Sequence, residues 1–160
     1  MQVGSILLDD ASAIAEARSR LYQNPILHLK AFTAEEVDHA FSVLEASSKN
    51  GLYAVALFHY ELGTQLLKLP DSNKALLLEI YLYHSYQALT AQQANDWLNQ
   101  FTNDEPAGIS NIQHTHNKDS FSNKIDDIHH QIRAGNTYQV NFTYPITGRI
   151  YGNPINIYQT

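Results

Sequence analysis

The spacing of apolar residues changes repeatedly along this chain, and each change predicts an element. Ile6, Leu7 and Leu8 before Asp9-Asp10 predict a short strand that ends in a turn. Residues 11–22 are alanine-rich and predict a partly helical segment. Asn24-Pro25 stops it, because proline keeps its predecessor out of the helical region. Residues 25–32 alternate loosely through Ile26, Leu27, Leu29 and Ala31 and suit a second strand. Thr33-Ala34-Glu35-Glu36 is a capping-box pattern, with a hydroxyl at the N-cap and a carboxylate three residues later. Val37, Ala40, Phe41 and Leu44 recur behind it at helical spacing, and Asn50-Gly51 supplies the left-handed residue that ends such a helix.

Residues 52–60 form a near-continuous apolar run with aromatics, and the turn-rich borders predict a buried strand. Residues 75–86 read as another buried strand, with a helix as the alternative. Residues 90–101 predict a helix with Ala94, Trp97, Leu98 and Phe101 on one face. Residues 102–119 turn polar, carry Pro106 and Gly108, and read as a linker that is long for the inside of one compact domain. Phe121, Ile125, Ile128 and Ile132 then mark a helix, with Ser120 as its expected N-cap and Gly135 just past its end. The period next switches to two: Tyr138, Val140, Phe142 and Tyr144 face one way, and Gln139, Asn141 and Thr143 the other. Asn153-Pro154 resembles one more helix start, too close to Thr160 to finish, so Thr160 is not expected to be a natural terminus. No internal repeat is present.

Composition narrows the classes. With 160 residues, 44% of them apolar and 16% charged, the chain can build a real core. Its formal charge of −6 disfavours nucleic acid, since phosphate backbones repel such a surface. The absence of cysteine excludes disulfides, thiolate metal sites and a cysteine nucleophile. Neither a secretory leader nor an apolar run long enough to span a bilayer is visible, so no membrane partner and a cytoplasmic location are expected.

The usual catalytic signatures are missing: no phosphate-binding glycine loop, no nucleophile elbow and no paired-histidine zinc motif. His114 and His116 could face one side of an extended segment, but no thiol or ordered carboxylate completes a metal site, and a solvated linker explains them better. His129 flanks the apolar stripe of its helix and reads as packed, while His130 points outward. Glu61 and Asp9-Asp10 fit solvated or turn roles better than catalytic ones. Gln139, Asn141 and Thr143 are different in kind. Three uncharged hydrogen-bonding side chains in one row suit the wall of a polar pocket, although an ordinary two-faced strand has the same pattern.

At this row the sequence resembles a known family. Ile132-Arg133-Ala134-Gly135-Asn136-Thr137-Tyr138-Gln139-Val140-Asn141-Phe142-Thr143 is similar to the Ile-x-x-Gly-Asp-x-Tyr-Gln-Val-Asn-Leu-Thr block of chorismate-utilising enzymes. The resemblance is to the aminodeoxychorismate synthase component I (para-aminobenzoate synthase) branch, which includes forms fused to a lyase. Leu7-Leu8-Asp9-Asp10-Ala11, Arg20-Leu21-Tyr22 before Pro25, and Gly51-Leu52-Tyr53 leading to Tyr60-Glu61-Leu62-Gly63 resemble that branch's earlier blocks in the same order. The match runs through essentially the whole chain but covers only the first third or so of a family member.

The resemblance implies a mixed α+β fold, the N-terminal part of a layered αββα sandwich of the anthranilate synthase component I type. It implies an N-terminal domain over residues 1–101, the linker at 102–119, and the start of the chorismate-binding catalytic domain at 120–160. The implied activity is a Mg²⁺-dependent transferase reaction that replaces the 4-hydroxyl of chorismate with ammonia, toward folate. A glutamine amidotransferase subunit supplies that ammonia. Mg²⁺ would clamp a substrate carboxylate while acid and base groups assist departure of the hydroxyl. In the family those groups and the metal-binding glutamates lie beyond the matched block, so no catalytic or metal residue is expected here. Gln139, Asn141 and Thr143 are expected to support the substrate pocket. Some relatives bind tryptophan through a serine at the position of Asp10, which puts an effector site here in doubt, and Asn136 replaces the usual aspartate. The alternatives are anthranilate synthase, an isochorismate-forming relative, or a stand-alone non-catalytic binding domain. Alone, the strand at 137–144 would leave open edges that favour self-association.

Overall fold

A computed structural model describes residues 3–10, 16–67 and 75–159. The chain divides into two compact units, Met1–Phe101 and Thr102–Thr160. Its elements mix helices with antiparallel sheets, an α+β fold.

The first unit is built on two three-stranded sheets. β1 (Ile6–Leu8), β2 (Ser19–Tyr22) and β6 (Gln87–Leu89) form one, in the order β1-β2-β6. β3 (Leu27–Ala31), β4 (Tyr53–Phe58) and β5 (Leu78–Tyr83) form the other, in the order β3-β5-β4. The alternation along β5 decides the layering. Leu78, Ile80 and Leu82 point to α1 (Ala34–Lys49) and pack with Val37, Ala40 and Ala31. Tyr83 points the other way and packs with Val55 of β4 and Tyr22 of β2. On the far side of the first sheet, α3 (Ala91–Asn99) lies against β2 and β6 and buries Ala94 and Leu98. Helix, sheet, sheet and helix therefore succeed one another in this unit.

Local signals explain the ends of these helices. Thr33 caps α1 by accepting from the Glu36 N–H, and Glu36 reaches back to the N–H of Phe32, one residue before the cap. Gly51 and Gly135 follow the helix ends they were expected to follow, with φ of 78° and 75°. Thr90 and Gln93 form a complete capping box at α3, each accepting from the other's backbone N–H. Thr90→Ala is therefore expected to cost about 1 kcal/mol, read from the urea midpoint of the chain, while Thr90→Ser retains most of it.

The second unit holds β7 (Gly108–His114), α4 (Lys118–Arg133), β8 (Ile146–Tyr151) and α5 (Pro154–Tyr158). β7 and β8 pair antiparallel, with a bulge between Ser110 and Gln113. Asn153 caps α5, and the Asn156 amide donates to the carbonyls of Asn103 and Glu105, tying that helix to the start of the unit.

Several expectations need correction. Residues 19–22 are strand rather than helix, because Ser19, Leu21 and Tyr22 are buried between neighbouring strands; residues 11–15 lie outside the described residues. The stretch read as a linker, 102–119, holds β7 and the start of α4. Asn117, not Ser120, caps α4, and its side chain accepts from the Ser120 N–H. Residues 138–144 form no strand; the strand in that region is β8, which pairs with β7. The alternation survives only in part, since Phe142 and Tyr144 pack on Phe121 (ring centroids 5.7 and 5.9 Å) while Tyr138 is 91% exposed. A strand needs a neighbour to bond to, and among the described residues this segment has none. The alternative helix at 75–86 is settled as β5. Helix α2 (Tyr60–Leu66) and β6 were not foreseen.

Candidate functional site

Three places carry polar side chains that composition alone does not explain. The first is the face of β5 that turns away from α1. Pairing of β3 with β5 sets Lys30 opposite Glu79 and His28 opposite Tyr81. Both pairs share one face, so four polar side chains meet there. His28 Nε2 lies 2.7 Å from Glu79 Oε2, Lys30 Nζ 3.6 Å from the same oxygen, and the Tyr81 hydroxyl donates to it at 3.3 Å. The His28 ring stacks on Tyr81 with centroids 3.9 Å apart. On the other flank His59 Nε2 approaches Glu79 Oε1 at 3.5 Å, too loosely to count as a hydrogen bond. One carboxylate thus ties the edge strand β3 to the centre of its sheet.

Burial works to raise the Glu79 pKa, but the His28 hydrogen bond and the Lys30 charge outweigh it and hold the carboxyl below its ordinary value of 4.5. The folded state therefore prefers the ionised form. The stability this contributes is complete above the ordinary carboxylate range and is lost as pH falls below it. Glu79→Gln is expected to flatten that acid limb of a stability-against-pH curve measured by urea denaturation. Unchanged acid sensitivity would count against the clasp. Sequence reading passed over this cluster. Its one visible signal was a single carboxylate inside an otherwise apolar run, 75–83.

The second place is a cleft of about 370 Å³ lined by Asp10, Ala17, Arg18, Arg20, Tyr86 and Ala88. Beside it Ser19, a buried polar residue, donates to Asp9 Oδ1 at 2.7 Å and accepts from the Asp10 N–H at 2.9 Å. These bonds join the two aspartates just past β1 to the first residue of β2. Arg20 lies over the Tyr86 ring, 5.2 Å from its centroid, and gives the cleft one cationic wall.

The third is the row Gln139, Asn141 and Thr143. All three are exposed, on irregular backbone after α4. They are held in place from the opposite side of the segment, where Phe142 and Tyr144 pack with Phe121 and His116. His116 accordingly belongs to an aromatic cluster, with its Nδ1 3.2 Å from Ser120 Oγ, while His114 is exposed at the end of β7. His129 is exposed like His130, which corrects its expected packing: only Ile125, Ile128 and Ile132 of that stripe are partly covered. Glu61 opens α2, where a carboxylate favours the positive end of the helix dipole.

Among the described residues no three His, Asp or Glu side chains converge on a point that could hold a metal ion. Nor is any helix among them long and apolar enough to cross a membrane. Compared with known families, residues 6–160 match the model described as chorismate binding enzyme. No curated protein and no solved structure matches the chain.

Proposed function

The chain belongs to the chorismate-binding enzyme family, and from that premise we propose that it is the N-terminal part of an aminodeoxychorismate synthase component I. That subunit aminates chorismate to 4-amino-4-deoxychorismate for folate synthesis. The observation that carries the narrower reading is the block at residues 132–143, with Gly135, Tyr138, Gln139, Val140, Asn141 and Thr143 at the spacing of that branch. In this reading Gln139, Asn141 and Thr143 support one wall of the chorismate pocket. Their amides and hydroxyl can meet substrate oxygens without adding charge, and the packing of Phe142 and Tyr144 on Phe121 keeps the row facing outward.

Mg²⁺ belongs to the proposed reaction, but the residues described here do not form a cage for it. In the proposed enzyme its ligands, and the groups that assist loss of the hydroxyl, would come from other sequence of the same protein. Ammonia would come from a glutamine amidotransferase subunit. The second unit agrees with a supporting role, since none of its described residues is fully buried. A unit without an interior of its own gains little from burial and stands to be completed by further protein surface.

The test uses the intact gene product and the isolated chain side by side, each given chorismate, ammonium ions and Mg²⁺. The intact product should release 4-amino-4-deoxychorismate, and the 160-residue chain should release none. Anthranilate or isochorismate from the intact product would assign it to a sister branch. An intact product of 18.1 kDa that binds without turnover would make this a non-catalytic binding domain.

A further inference from the structure

We draw no further inference here: the strongest candidate, the apolar face that Ile109, Ile112, Ile146 and Ile150 form on the β7–β8 ribbon, is a surface for which nothing in the structure shows what covers it.

Discussion

Ile80→Ala is expected to lower the unfolding free energy of the first unit by about 3 kcal/mol, within the usual range for truncating a buried isoleucine. Ile80 is 0% exposed in the central strand of its sheet, paired with Leu29 on one side and Ala56 on the other. Its side chain packs into the cluster that joins β5 to α1, so the lost methylenes leave a void between two layers that cannot easily close. Trp97, the single tryptophan, sits on α3 of the same unit, and its fluorescence during urea denaturation reads this loss. Leu57→Ala is the control: Leu57 is 44% exposed on the edge strand and should cost less than about 1 kcal/mol. Equal losses at the two positions would mean that the sheet–helix interface is not the main core.

The elements legible in the sequence share one property, a signal complete within a single segment. Thr33, Asn50 and Gly51 bracket α1 by chemistry that needs no distant partner, and Thr90 starts α3 in the same way. The apolar runs around β4 and β5 were legible as strands. β5 is covered by α1 on one face and in part by Tyr22 on the other, whereas β4, at the sheet edge, buries only Val55 and leaves Tyr53, Leu57 and Phe58 exposed, which corrects its expected burial. Two elements that depend on pairing were not legible. Residues 19–22 sit beside an alanine-rich stretch and carry no helical or strand period of their own; burial of Leu21 and Tyr22 decides their state. Residues 138–144 show the opposite failure. Their alternation is regular, yet alternation only offers two faces, and the hydrogen bonds that make a strand went to β7 and β8 instead.

The same distinction governs the candidate site. The row Gln139, Asn141 and Thr143 was legible because it lies within one segment, and its exposure follows from Phe142 and Tyr144 turning inward. The Glu79 clasp was hidden because its partners come from His28, Lys30 and His59, far away in sequence and assembled only by strand register. Arg20 and Tyr86 likewise meet across β2 and the segment leading into β6. Polar groups brought together by sheet pairing leave no spacing to read, only isolated charged residues in apolar surroundings.

Tyr83 shows how such a long-range contact sets a measurable pH response. Its ring is fully buried against Tyr22, and its hydroxyl donates to the Gly4 carbonyl at 2.7 Å, joining β5 to the chain just before β1. Burial above all, then the neighbouring Tyr81 and Tyr22, pushes its pKa from 10.0 up to about 12. The neutral phenol is favoured in the folded state, so above the unfolded value the unfolded chain binds fewer protons. Stability contributed by this group is complete below pH ~10 and is lost as pH rises toward ~12, by roughly 3 kcal/mol at about 1.4 kcal/mol per unit. Tyr83→Phe keeps the ring and removes both the hydrogen bond and the titration. At neutral pH it should cost about 1 kcal/mol, since the Gly4 carbonyl loses its donor. Above pH ~11 the order should reverse, because only the natural chain must keep a phenol protonated to stay folded. Urea midpoints of both chains from pH 7 to 12 give the comparison, and their difference cancels the titration of the other tyrosines. Two parallel curves would mean that Tyr83 ionises in the folded state as freely as in water, and the sealed contact between the two sheets would have to be abandoned.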